Sequence, residues 1–344
     1  MLTVYTIEQA NQWDLIVRSF REYDTYWLSG YVKAFQLHGD GEPLLLYFES
    51  DETRGINVVM KRDIAANKHF AGRISDKSYY DFATPYGYGG WIIEGSEKVE
   101  LFAAYETWCL QNGIISEFVR FHPMLKNHKD CRGFYEVEQL GEVVHMDLSS
   151  PELIWENLMS QNRNKIRKAV KNGVKIYNCQ TPEIYETFRH LYVRTMDKVH
   201  AEEYYYFGID FYKSILNDLP DNAQVFYAAK DEIVIAASIV LMANSQMNYH
   251  FSGSLQEYNW LAPTNLLLYE IALWGHAHGY KALYLGGGVG SKADSLLAFK
   301  RSFFKKELDR FFVGKKIFDK AKYDELLSLR TDKVDNGFFP EYRA

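Results

Sequence analysis

The residues with the clearest chemical potential lie near the C-terminal end, where a glycine run precedes an isolated lysine. The run is Gly286-Gly287-Gly288-Val289-Gly290-Ser291-Lys292. Backbone N–H groups freed of side chains can approach a ligand closely, so a nucleotide is the first chemistry to test. The spacing fails both phosphate-binding patterns. Gly-x4-Gly-Lys needs glycine at 285, where Leu285 stands, and Gly-x-Gly-x-x-Gly needs glycine at 291, where Ser291 stands. A ligand-facing loop and a plain connection both remain open readings. Further on, Phe299-Lys300-Arg301-Ser302-Phe303 places two phenylalanines one helical turn apart. They anchor the helix and leave Lys300 on another side, as a surface lysine or as a fixed positive charge at a reacting centre.

Two more segments carry chemistry. Arg163, Lys165, Arg167, Lys168, Lys171 and Lys175 form the densest positive stretch. On a helix Arg163, Arg167 and Lys171 share one face, while Ile166, Ala169 and Val170 lie toward the core. That face is either solvated or a phosphate-contacting surface for tRNA, a nucleotide sugar or coenzyme A. Thr84-Pro85-Tyr86-Gly87-Tyr88-Gly89-Gly90 puts three glycines within four positions, which weakens a strand. The interleaved tyrosines favour a groove over an ordinary turn.

Other chemistries are disfavoured. His276 and His278 are two apart on a helical pattern and face different ways, and the remaining histidines lack metal-ligand spacing, so no metal is expected. No Gly-x-Ser-x-Gly elbow is present. Cys109, Cys131 and Cys179 are scattered and odd in number, which argues against a disulfide framework and suits a reducing cytoplasm. The start lacks a basic, then apolar, leader pattern, and no run of 18 apolar residues exists, so a cytoplasmic chain without membrane insertion is expected. The net charge of −6 leaves any polyanion to a local patch.

The elements that position these residues repeat. Residues 44–50 and 55–63 are apolar β-rich runs about a polar turn. The tyrosine-glycine stretch, a helical pattern over 101–113 and a strand over 114–122 follow. Residues 224–288 repeat the series: a hairpin across Asp231-Glu232, a strand over 246–254, a helix over 263–279 and a closing strand. Pro263 and Gly279 bracket that helix. Helices are expected over 151–172 and 181–199. The fold class is therefore α/β, with mixed sheets covered by helices and two similar domains in tandem. The domains are expected at 1–147 plus 314–344, and at 148–313. The tail's apolar side (Ile317, Phe318, Ala321, Leu326, Leu327) is expected to return onto the first domain.

In their order, several segments resemble the Fem aminoacyltransferases and their FemAB-like relatives. They are Trp155…Asn162-Arg163-Asn164-Lys165-Ile166-Arg167-Lys168-Ala169…Asn172-Gly173, the Tyr-Gly-Tyr-Gly-Gly stretch, Ala262-Pro263-Thr264-Asn265-Leu266-Leu267, Leu285-Gly286-Gly287-Gly288 and Phe299-Lys300-x-x-Phe303, spanning about residues 25–313. The resemblance implies two GNAT-like (Gcn5-related N-acetyltransferase) acyltransferase domains. It also implies transfer of an amino acid from aminoacyl-tRNA to the peptide of a peptidoglycan precursor. It places Lys300 at the reacting centre, Lys33 on a sugar-nucleotide precursor, and Lys198 at the basic position after Thr195-Met196. Tyr86, Arg120 and Tyr249 are candidates to position the acceptor. Arg163, Arg167, Lys171, Gly287 and Gly288 are candidates for the donor or another polyanion. The long helical arm of some members is absent, as is the Gln/Arg-x-x-Gly-x-Gly/Ala pyrophosphate signature of acetyl-CoA enzymes. The expected donor is aminoacyl-tRNA or an acyl-CoA, with no tightly bound cofactor. The expected partners are a cell-wall or sugar-nucleotide precursor and, with the first donor, tRNA. Two rival readings are an acyl-CoA-dependent N-acyltransferase of a sugar or amino acid, and a catalytically inactive precursor-binding module.

Overall fold

A computed structural model describes residues 1–330 and 337–344. The chain forms two compact units, Met1–Leu140 with Phe311–Ala344, and Gly141–Arg310. Of the tail placed in the first domain from sequence, residues 331–336 lie outside the described residues.

Unit 1 runs β1 (Leu2–Tyr5), α1 (Ala10–Ser19), α2 (Ser29–His38), β2 (Glu42–Glu49), β3 (Thr53–Asp63), β4 (Tyr80–Ala83), β5 (Ile92–Gly95), α3 (Lys98–Gln111) and β6 (Ile114–Arg120). The chain leaves through β7 (Glu136–Asp147) and returns through β13 (Asp309–Ile317) to α10 (Lys320–Leu329). The strands order as β1-β2-β3-β4-β6-β13, with β5 beside β3. All pairs are antiparallel except β4 with β6. That exception is the geometric consequence of a helical crossover, since α3 joins two parallel neighbours. The run of leucines in β2 is buried at every position from Leu44 to Leu46 because the central sheet is covered on both faces. The tail packs into this unit, where Tyr323, Leu326 and Tyr342 join Ile64, Phe70 and Ile115 in one apolar cluster.

Unit 2 contains α4 (Pro151–Asn157), α5 (Ser160–Lys171), β8 (Lys175–Cys179), α6 (Pro182–Lys198), α7 (Ile209–Asp218), β9 (Ala223–Lys230), β10 (Ile233–Ala243), β11 (Gln246–Ser254), α8 (Pro263–Ala277), β12 (Ala282–Gly286) and α9 (Ser295–Arg301). Its strands order as β8-β9-β10-β11-β12-β7, and only β11 with β12 is parallel. Apart from β5, this is strand for strand the topology of unit 1. Each parallel pair is joined by the long helix that the sequence pattern marks, α3 or α8. The sixth strand of each sheet is not local: β7 follows the first repeat in the chain yet pairs β12, and β13 follows the second yet pairs β6.

The helix expected over 151–172 is two helices. Leu158 and Met159 are extended (φ −66°, ψ 140° and φ −66°, ψ 149°). The break has a physical cause. The Arg163 guanidinium takes the carbonyls of Trp155 (3.4 Å) and Leu158 (2.9 Å), and the Met159 N–H donates to the Ser302 carbonyl (2.9 Å). Groups orphaned by the helix ends thus find partners at the break.

Candidate active site

In unit 2 the glycine run and Lys300 meet. Lys300 lies on α9, half-buried, and its ammonium donates to the Gly287 carbonyl at 2.7 Å. Burial lowers the lysine to about 8, opposed in part by the Asp294 carboxylate. Gly286 has φ +82°, and a Cβ there would lie 3.2 Å from Lys300 Nζ. Glycine therefore meets two demands at once: the left-handed backbone and room for the ammonium.

Asp294 holds the loop in shape. Its Oδ1 caps α9 at the Leu297 N–H (2.9 Å) and its Oδ2 accepts from the Val289 N–H (2.9 Å). These N–H donors pull its carboxyl below the ordinary range. The loop is thus a braced turn, and one of its backbone donors is already committed to Asp294.

The other end of the lysine's helix is clamped by a polar network. Asn162 Nδ2 donates to the Ser302 carbonyl (3.2 Å), and Asn265 Nδ2 donates to Asn162 Oδ1 (2.8 Å). Lys305 N–H donates to the Asn157 carbonyl (3.0 Å). Phe299 and Phe303 pack edge to face with ring centroids 5.4 Å apart, and Phe303 is fully buried. Three of the sequence segments quoted above therefore converge on the turn that carries Lys300.

The remaining unit 2 residues are placed as follows. Tyr249 is half-buried on β11, and burial raises its phenol to about 12. Lys198 is exposed at the end of α6. Neither makes a hydrogen bond or ion pair with Lys300, Gly287 or Gly288 among the described residues. Arg163 braces α4, whereas Arg167 and Lys171 are exposed on α5.

In unit 1 the tyrosine-glycine stretch forms a braced loop. Tyr31 OH donates to the Tyr86 carbonyl, and Arg120 Nε donates to the Gly87 carbonyl at 3.0 Å. Trp27 Nε1 reaches the Gly90 carbonyl at 3.2 Å and Asn127 Nδ2 the Gly89 carbonyl at 2.8 Å. Gly87 has φ +98°, and a Cβ there would meet the Tyr26 ring at 2.4 Å. The half-buried Tyr86 ring stacks on Phe35 (5.8 Å). Phe35 lies on α2, the helix that also carries the half-buried Lys33. The Arg120 guanidinium lies over Phe311 (5.3 Å). Tyr86 and Arg120 thus converge on one loop, with Lys33 on the helix packed against it.

Beneath that loop is a pair that sequence reading misses. His122 Nε2 and Asp24 Oδ2 are 2.9 Å apart, and both side chains are fully buried. Leu125 N–H donates to His122 Nδ1 (3.2 Å), which assigns the proton to Nε2, facing Asp24. Tyr88 packs edge to face on both His122 and Tyr26 at 5.5 Å. The two residues are far apart in the chain and neither stands in a motif, so no sequence signal joins them.

Residues 157–301 match the family described as Acetyltransferase (GNAT) domain. The match lies within unit 2, Gly141–Arg310. A crystal structure of FemX is similar over 94% of this chain and 99% of that one, with TM-score 0.69 and 12% identity. The C-terminal domain of a putative lysylphosphatidylglycerol synthetase from Agrobacterium fabrum is similar over 97% and 98%, with TM-score 0.57 and 16% identity. A conserved protein of unknown function from Bacteroides thetaiotaomicron is similar over 92% and 100%, with TM-score 0.59 and 11% identity. No curated protein matches the sequence. These likenesses establish the fold: over 94% of its length the chain shares the fold of FemX, and the strand topology of unit 2 occurs again in unit 1. Among the described residues no helix is long and apolar enough to cross a membrane.

Proposed function

We propose that the chain moves an aminoacyl group from aminoacyl-tRNA onto an amine of a peptidoglycan precursor, with Lys300 stabilising the oxyanion. The observation that carries the reading is the Lys300 ammonium, fixed at 2.7 Å from the Gly287 carbonyl and held on a clamped helix. Acyl transfer places negative charge on the carbonyl oxygen as the amine attacks. An ammonium already desolvated and oriented beside that oxygen stabilises the charge with little reorganisation. With a value of about 8, most of the lysine is protonated at neutral pH, as this role requires.

Tyr86, Arg120 and Lys33 are assigned to the precursor, and Gly287 and Gly288 to the donor end. The amine's proton has no assigned carboxylate base, so transfer assisted by the substrate is the working mechanism. The sequence resemblance to the Fem aminoacyltransferases supports an aminoacyl donor, as does the likeness to a domain described as part of a lysylphosphatidylglycerol synthetase. The GNAT domain match keeps an acyl-CoA donor as the second reading. A donor screen decides between them: aminoacyl-tRNAs and acyl-CoAs are offered with precursor peptides, and acceptor turnover is measured. Turnover with acyl-CoA alone would overturn the tRNA reading. No turnover with any donor, together with precursor affinity untouched by Lys300→Ala, would leave a binding module.

A further inference from the structure

Within an acidic chain, α5 is a concentrated cationic element. Its sequence holds Arg163, Lys165, Arg167, Lys168 and Lys171 and no acidic residue, against a chain charge of −6. Asn162, Ile166 and Ala169 are its buried side. At about 100° per residue, Arg167, Lys168 and Lys171 project on the opposite side, within an arc of roughly 100°. All three are exposed.

Indoles flank this arc on both sides. The Arg167 guanidinium lies 5.2 Å from the Trp155 ring, and Lys168 Nζ lies 5.5 Å from the Trp260 ring. Trp155 is packed against Tyr269 at 5.3 Å. Trp260, in the 3-10 turn Gln256–Leu261, is 60% exposed, and Val170 on α5, expected toward the core from its helical spacing, is instead 58% exposed. A large indole held in water beside Lys168 gains little for the fold, because burial is where its area stabilises. The nearby carboxylate of Glu257 is matched by Arg194 at 3.2 Å.

We propose that this face, Arg167, Lys168 and Lys171 with Trp260, docks unit 2 on an anionic lipid surface. Indoles favour the headgroup level of a bilayer, where the ring meets the apolar boundary and the N–H stays wet. Lysine and arginine stems lie along that boundary while their charges reach lipid phosphates. The cations stand on the outward side of one helix, opposite its buried residues. One side of the Trp260 ring is also occupied by Lys168, which favours a surface over base stacking. The docking is peripheral, in keeping with the absence of a membrane-crossing helix among the described residues. It is independent of which donor or acceptor the enzyme uses.

The test is sedimentation of the full chain with vesicles of phosphatidylcholine alone, or of phosphatidylcholine mixed with phosphatidylglycerol. Binding is expected only to the mixed vesicles and is expected to weaken as salt rises. Each of Arg167→Gln, Lys168→Gln and Lys171→Gln should lower partitioning by about fivefold, the worth of one cation at a charged bilayer. Trp260→Ser should lower it at unchanged charge. All four positions are exposed, and circular dichroism verifies that the variants fold. The proposal is overturned if the chain stays in the supernatant with both vesicle types. It is equally overturned if the triple glutamine variant binds as the parent does, or if these residues retain unacylated tRNA in a gel shift while vesicles are ignored.

Discussion

The ammonium of Lys300 donates to the carbonyl oxygen of Gly287 at 2.7 Å, which joins the last turn of α9 to the glycine run that ends β12. The contact orients the charge before any substrate arrives. Lys300→Met keeps the stem and removes the charge. It should lower kcat by roughly 10²–10³-fold, the loss expected for one oxyanion donor, with KM changed far less. Lys300→Arg should restore only part of the rate, because a planar guanidinium does not reproduce the position of a compact ammonium. Steady-state kinetics with the donor found in the screen measures both. Near-normal kcat in the methionine variant would remove Lys300 from the mechanism.

The lysine also sets a pH dependence. Burial lowers it to about 8, so the charged form prevails below that pH and is lost above it. If the charged form works, kcat should fall as pH rises through about 8, and Lys300→Arg should abolish the fall. A kcat that instead rises through about 8 would make the neutral amine a general base. A pH–rate profile distinguishes the two.

Asn162 is the keystone of the network under that helix. Asn162→Ala leaves the Asn265 amide without this partner in a buried setting and removes one of the two donors to the Ser302 carbonyl, which keeps the Met159 N–H. A loss of about 1–3 kcal/mol in stability is expected from such unsatisfied groups. Because Ser302 is one residue beyond α9, the variant should also lower kcat while leaving circular dichroism unchanged. Chemical denaturation and kinetics together check it. A stability loss with untouched kcat would mean that the network holds the fold and not the lysine.

Much of this architecture was legible in the chain. The repeat of hairpin, strand, helix and strand was visible because each element carries its own period and its own stop, such as Pro263 and Gly279 about α8. The meeting of Asn162, Asn265 and Ser302 was half visible: their segments could be quoted, but only tertiary packing pairs them. The break at Leu158–Met159 was hidden, since one of the groups that satisfy it, the Ser302 carbonyl, is far along the chain. The exchange of β7 and β13 between the sheets was hidden for the same reason, as pairing partners leave no local pattern. Asp24 and His122 carry no motif at all, and only the fold brings them to 2.9 Å.

Glu117 offers a test of the unit 1 core. Its carboxyl is fully buried on β6, accepting from Tyr105 OH (2.9 Å), Tyr135 OH (2.6 Å) and Asn57 Nδ2 (3.0 Å). Burial raises its pKa, with the two tyrosines and Asn57 opposing the rise. A carboxyl raised on folding makes the native state bind more protons than the unfolded chain. Stability therefore falls as pH climbs from the unfolded value near 4.5 through the folded one. Glu117→Gln removes that titration and keeps the shape. The glutamine oxygen can still accept from both tyrosines, and its amide can donate to Asn57 Oδ1, which has no hydrogen-bond partner among the described residues, once the Asn57 amide turns over. The variant should therefore be at least as stable as the parent at neutral and alkaline pH, with a flatter dependence on pH. Urea unfolding at several pH values measures this. Destabilisation at neutral pH, with the parent's slope retained, would mean that the charged carboxylate is the form the core requires.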